Sequence, residues 1–248
     1  MTKSPIAAYM GTLLVLIGLW YVASLILGNN LLPGPLQTFI RLGQEIGQAS
    51  FWRHIQSSAY RIFAGLSGAF LTAVPLGLLL GSSPRLDRLF TPLIYLSYPI
   101  PKIVFLPIIL LLFGLGDAGK IILITLIIFF QLLITTRDSA RQVGNEMIYS
   151  FKSLGGNRRH FFRHVVWPVS IPGIFTSLRI GIGISVAVLF FVESIGTRLG
   201  MGFYIIDAWG RADYPAMFVG MIGLSGIGIV LYEAFDLLEK RVCRWKRQ

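Results

Sequence analysis

Apolar residues in this chain run in long blocks and do not alternate with polar ones. Six blocks approach the roughly 20 residues a helix needs to cross hydrocarbon. They are 6–27, 62–81, 89–112, 121–136, 173–195 and 214–232. A backbone amide in lipid has no water to pair with, so such blocks must become helices. The expected fold is therefore all-α and integral to a membrane, with six transmembrane helices. The first two blocks carry no charge. The third holds Lys102 and is interrupted by Pro92, Pro99, Pro101 and Pro107, and the fifth holds Arg179 and Glu193. Residues 33–60 are too polar to span, but Leu36, Phe39, Ile40 and Gly43 recur at helical spacing and predict a short helix lying on the surface.

The first block has 22 apolar or neutral residues, against about 7–15 in a signal-peptide core. The flank Gly28-Asn29-Asn30-Leu31-Leu32-Pro33 has no small-x-small cleavage site. We read the block as a retained first helix.

Composition agrees with the pattern. The 248 residues are 54% hydrophobic and 13% charged, about half the charge of a soluble domain. Lys and Arg number 22 against 11 Asp and Glu, a net charge of +11. In a membrane chain this excess reflects cytoplasmic loops and anionic lipid, not nucleic acid. One cysteine, Cys243, excludes a disulfide framework or a cysteine metal site within one chain.

The positive residues also orient the chain. With the N-terminus inside and alternating spans, fourteen fall on the cytoplasmic side: Lys3, Arg85, Arg88, Arg137, Arg141, Lys152, Arg158, Arg159, Arg163, Lys240, Arg241, Arg244, Lys246 and Arg247. Six fall outside: Arg41, Arg53, Arg61, Lys120, Arg198 and Arg211. The bias predicts a multi-pass bacterial inner-membrane protein with both termini cytoplasmic. Small residues in the spans, Gly65 with Ala69 and Gly77 with Gly81, suit close helix packing.

The longest inner connection, 137–168, is amphipathic. Met147, Ile148, Phe151 and Leu154 share helical spacing, Gly155-Gly156-Asn157 breaks the helix, and a basic-aromatic segment follows over 158–168. Such a hairpin is either a docking surface or a positive loop lying on lipid headgroups.

At this loop the sequence becomes recognisable. VGNEMIYSFKSLGG over 143–156, FFRHVVWP over 161–168 and Pro172-Gly173 resemble the EAA loop of ABC importer permeases. Leu154, Gly155, Val165, Pro168 and Pro172 fit the family pattern, while Tyr149-Ser150-Phe151 replaces its EAA triplet. SAYRIFAG over 58–65, the proline-rich 99–107, Phe113-Gly114-Leu115-Gly116, Glu193, Gly200-Met201-Gly202 and the Arg244-Trp245-Lys246 tail look like the nitrate, sulfonate and taurine branch. The resemblance covers roughly residues 55–245.

It implies a type I importer permease core over 55–248, preceded by a first helix and external amphipathic segment over 1–54. Two permease copies would form the pore, two cytoplasmic ABC ATPase subunits would dock on the loops, and an external substrate-binding protein would deliver the solute. The residues implied to couple to the ATPases are Tyr149, Ser150, Phe151, Leu154, Gly155, Gly156, Phe161 and Arg163. The solute would be a nitrate-, sulfonate- or taurine-like anion, or alternatively a vitamin precursor or flavin.

Other chemistry is weaker. Gly114 to Lys120 fits GxxxxGK, but Ile121 stands where a phosphate loop needs Ser or Thr, and no strand precedes it. His160 and His164 are four apart without the glutamate of a zinc-protease helix or a third ligand. No catalytic set, metal or cofactor is expected, so the chain reads as no enzyme, with ATP hydrolysis left to partners.

Charges within spans are costly and mark function. Arg179 either lines the path or snorkels to the interface. Glu193 either lines the path or has a structural or gating role. The multiply broken segment from Tyr95 to Pro107, with Tyr98, Pro99, Pro101 and Lys102, is the best candidate for lining a path, because irregular backbone persists in membranes where it lines water or is buried in protein. Lys102 would then attract an anion, or it would bond carbonyls freed by the break. A membrane-embedded enzyme would need a denser set of polar groups. An ion-coupled transporter would show acidic midplane sites and inverted repeats.

Overall fold

The computed structural model describes residues 5–28 and 31–244. Lys3, Asn29, Asn30, Trp245, Lys246 and Arg247 lie outside the described residues, as do the side chains of Lys152 and Arg158. The described chain is all-helical: α1 (Pro5–Leu27), α2 (Pro35–Ile46), α3 (Ala49–Gly81), α4 (Pro84–Ser97), a 3₁₀ turn (Lys102–Phe105), α5 (Leu106–Phe113), α6 (Asp117–Arg141), α7 (Asn145–Ser153), α8 (Arg158–Phe161), a π-turn (Phe162–Val166), α9 (Trp167–Glu193), α10 (Met201–Gly210) and α11 (Tyr214–Val242).

Five helical stretches are each long and apolar enough to cross a membrane: those of α1, α3, α6, α9 and α11. The sixth crossing is the pair α4 and Lys102–Phe113, bent by 77°. That this pair crosses follows from its neighbours. Gly65 of α3 packs on Ile124 of α6, Gly77 on Thr136 and Gly81 on the Arg137 carbonyl, so α3 and α6 run parallel. The chain between them must travel from one end of the bundle to the other. Asp87 of α4 is paired with Arg141 (3.0 Å) at one end, and Asp117 beyond α5 is paired with Arg61 (2.7 Å) at the other.

The core sits where α3, α6 and α9 meet. Ile62, Leu66, Ile124, Ile128, Leu132, Ile182 and Leu189 are buried there. α9 runs antiparallel to α6: Gly173 faces Ser139 and Gly181 faces Ile128. α11 returns along α9, with Gly228 on Val186, and packs on α10, with Gly220 on Ile205. The glycines permit these approaches because a Cβ at Gly65, Gly77 or Gly81 would stand 2.5–2.9 Å from atoms of α6.

The structure adds detail to three expectations. First, residues 49–60 are not part of a surface segment but the first three turns of α3, so the 54/55 boundary falls inside a helix. One side of this stretch is packed: Ser58 is fully buried against Glu193, and Phe51 is edge-on to Tyr204 of α10 at 5.9 Å. Second, α2 exists, but its polar side faces inward. Thr38 and Glu45 are buried, Arg41 pairs with Glu45 and Asp213 (both 3.1 Å), and Leu36, Phe39 and Ile40 are exposed. Burial raises the Tyr204 phenol pKa, and the neighbouring Glu45 carboxylate adds to the effect. Third, the fifth span starts at Trp167, not 173. Pro168 follows the π-turn over Phe162–Val166, a local widening of the helix of the kind that relieves a missing N–H.

α1 touches the rest of the bundle mainly through Trp20, which donates to the Pro33 carbonyl (3.0 Å) and stacks on Phe218 (5.6 Å). This sets the C-terminal part of α1 beside the start of α11. One end of the bundle therefore carries α2, α10 and the 194–200 loop. The opposite end carries the α3–α4 turn and the hairpin of α7 and α8.

Candidate functional site

The break in the sixth crossing is built by its prolines. Pro99 and Pro101 cannot donate to a helical ladder, so α4 stops at Ser97 and its last carbonyls lose their partners. Lys102 replaces those donors: its ammonium bonds the carbonyls of Ser97 (2.8 Å) and Tyr98 (2.5 Å). It also lies 4.5 Å from the Phe130 ring centre and 5.3 Å from that of Tyr98. Cation, helix C-terminus and ring faces are mutually favourable.

Beside the break lies an open cavity of about 410 Å³, lined by Tyr98, Pro99, Pro101, Lys102, Phe130 and Gln131 among others. Four of the expected path residues thus converge on one space. Arg179 and Glu193 stand apart from it. Arg179 is paired with Asp236 (2.8 Å) and Glu239 (2.9 Å) of α11, and Glu193 is wholly buried in a network at the other end of α9.

That network was not legible as such. Arg61 reaches Glu193 (2.5 Å), Asp117 (2.7 Å) and the Leu199 carbonyl (2.7 Å). The Ser58 hydroxyl donates to Glu193 (2.8 Å) and accepts from the Met201 amide (2.7 Å). The Gly202 amide donates to Glu193 (2.9 Å), and His54 Nδ1 meets the Gly200 amide at 3.1 Å. The signal available was the recurrence of Ser58, Arg61, Glu193, Gly200 and Gly202 among the residues that carry the family resemblance. Lys120 closes the neighbouring turn by donating to the carbonyls of Leu115 (2.5 Å) and Gly116 (3.2 Å), which accounts for the lysine of the GxxxxGK string without a nucleotide.

The hairpin forms as two helices about a glycine break. Gly155 has φ +73°, a left-handed conformation that closes α7. Gly156 is required for space instead, since a Cβ there would stand 2.0 Å from the Phe151 ring. Asn157 Oδ1 accepts from the His160 amide (2.9 Å) and caps α8. Phe151 and Phe161 meet edge to face at 5.4 Å, so they fix the angle between the two arms. Tyr149, Ser150, Leu154 and Arg163 are exposed on the outside of this hairpin, and Leu154 is 85% exposed.

The relatives of the chain agree with this geometry. Residues 73–244 match the family described as binding-protein-dependent transport system inner membrane component. The taurine transport system permease protein TauC of Escherichia coli (strain K12) is 32% identical over 243 residues, covering 95% of this chain and 88% of TauC. The formylaminopyrimidine transport permease protein ThiX of Halalkalibacterium halodurans is 27% identical over 236 residues, covering 95% and 94%. An inward-facing structure of the MetNI methionine ABC transporter shares the fold, with a TM-score of 0.64 at 18% identity over 77% of this chain and 94% of that one. The chain belongs to the binding-protein-dependent transport system inner membrane component family, and it is the permease subunit of an ABC transporter.

Proposed function

We propose that this permease carries a small solute with an anionic sulfonate group, of the aliphatic sulfonate or taurine type, inward, along the space beside the break at 98–101. The observation that carries this reading is the Lys102 ammonium, half-buried among the rings of Tyr98 and Phe130 at a cavity otherwise mostly apolar. Two of its three N–H groups hold α4, and the third is left for a ligand. The 32% identity to a taurine permease supports the same solute class.

The hairpin of α7 and α8 is the cytoplasmic docking site for one of the two ABC ATPase subunits, through Tyr149, Ser150, Phe151, Leu154, Gly155, Gly156, Phe161 and Arg163. The opposite end faces the external substrate-binding protein, and both termini are cytoplasmic. The basic residues gathered at the hairpin end support this orientation. A second copy completes the path as a homodimer. The apolar residues exposed along the bent crossing, such as Leu93, Leu96, Ile108 and Leu111, suit a helical partner or lipid. Arg179 and Glu193 position helices and do not touch the solute.

A second reading, a neutral heteroaromatic such as a vitamin precursor or flavin, is favoured by the two ring faces at the cavity and by the likeness to ThiX. Uptake into proteoliposomes holding the assembled transporter separates the two. Lys102→Met should cut taurine uptake about ten-fold or more, the cost of losing one charge-assisted contact, while Lys102→Arg keeps most of it. Taurine uptake unchanged in Lys102→Met overturns the anion reading.

A further inference from the structure

We propose that Ser58, Arg61 and Glu193 are positioning residues that pass contact at α10 to the paired helices α3 and α6, and so link the two ends of the permease. The inference rests on the orientation given above, in which α10 faces the binding protein.

Four consecutive residues, 199–202, are gripped by side chains from other helices. Arg61 holds the Leu199 carbonyl, His54 the Gly200 amide, Ser58 the Met201 amide and Glu193 the Gly202 amide. Three of those four side chains belong to α3. The first amides of α10 have no partners in their own helix, so the cluster serves as their cap. Gly200 has φ +135°, and a Cβ there would stand 2.3 Å from the Glu193 carboxyl, so the backbone is drawn directly onto the carboxylate.

At its other end α10 is held more loosely. Arg41 reaches Asp213 just beyond α10 with 37% of its side chain exposed, whereas Arg61 and Glu193 are 4% and 0% exposed. Trp209 and Asp207 of α10 face outward. A load on that outer face is therefore shared between the cluster and the packing of α10 on α11 at Ile205 and Tyr204.

From the cluster the path continues without a gap. Arg61 binds Asp117 at the start of α6, so one guanidinium ties α3, α6, α9 and the loop before α10. α3 and α6 then run side by side through Gly65, Gly68, Gly77 and Gly81 to the Arg137 carbonyl. There Asp87, Arg137 and Arg141 join α6 to α4, next to the hairpin. Two discrete packings of such a unit are a physical carrier for coupling between distant sites.

The experiment uses the complete transporter in nanodiscs with its ATPase subunits and solute-loaded binding protein. ATP hydrolysis is measured while the binding protein is titrated. Ser58→Ala removes the link between Met201 and Glu193 without stripping a charge, and Glu193→Gln removes the charge at constant shape. Both should leave basal hydrolysis and the half-saturating concentration within about two-fold, and lower the maximal stimulation about five-fold or more, the lower end of typical allosteric couplings. Arg61→Lys, which keeps the charge but not the fork, should fall between these variants and wild type.

If Glu193→Gln fails to assemble, Ser58→Ala decides alone. Unchanged maximal stimulation in Ser58→Ala, or a raised half-saturating concentration at an unchanged maximum, overturns the proposal. A wild-type complex with no stimulation at all overturns the partner reading, and this inference with it.

Discussion

Gly81 of α3 lies so close to the backbone of Arg137 in α6 that a Cβ added to it would stand 2.5 Å from the Arg137 carbonyl oxygen and 2.6 Å from the Ala140 methyl. A carbonyl in a helix cannot turn aside, so the contact fixes the distance between the two helices at the hairpin end. It also makes the hairpin end of α3 sensitive to a small added side chain.

Gly81→Val is therefore expected to destabilise the permease by about 1–3 kcal/mol, the usual cost of overpacking a filled interior. Thermal unfolding of the detergent-purified protein should move down by several degrees. Gly43→Ala is the matched control, because nothing lies within 4 Å of that position. Equal melting temperatures for Gly81→Val and wild type would remove the close packing of α3 on α6.

The two hairpin glycines should fail in different ways. Gly155→Leu meets open space but forces a left-handed conformation on a side chain, at a cost of about 1–2 kcal/mol. Gly156→Ala keeps an allowed backbone but pushes the Phe151 ring off Phe161. Both variants should insert normally and lose coupling, seen as uptake reduced about five-fold or more per ATP hydrolysed. Phe151→Ala should restore part of the loss in Gly156→Ala and none in Gly155→Leu. Rescue of both, or of neither, contradicts the separate roles.

Sidedness is open to direct labelling. Cys243 is the only cysteine and is buried, so it can be replaced by serine to give a blank background. On that background Leu154→Cys should react with a membrane-impermeant maleimide in inverted vesicles only, and Trp209→Cys in right-side-out vesicles only. These two positions are 85% and 60% exposed and sit at opposite ends of the bundle. Labelling of Leu154→Cys from the outer face would reverse the orientation and the docking assignment with it.

Much of the architecture was legible because lipid imposes a simple demand. Where no water reaches the backbone, apolar length alone marks a helix, and the five long helices stand where such blocks stand in the sequence. The glycine break at 155–157 was legible for a similar local reason, since it needs only residues that close one helix and cap the next.

Readings failed where a distant partner changed the rule. Ser58 and Arg61 look too polar for a membrane helix until Glu193, more than 130 residues away, satisfies them. The surface helix α2 was legible from its apolar spacing, but the partners of its polar side, the Arg41 pairs with Glu45 and Asp213, were not. The prolines at 99 and 101 mark an interruption, but a 77° bend depends on what α4 and α5 lean against.

The threefold grip of Arg61 carries a consequence for descent. A carboxylate at 193 without a cation at 61 is a bare ion in the interior, whereas Arg61 without a carboxylate at 193 still keeps Asp117 and the Leu199 carbonyl, so loss of the cation is the costlier change. Among sequences that diverged from a common ancestor, positions 58, 61 and 193 should be kept together or replaced together. The half-exposed Asp117 is free to wander, because water can stand in for it.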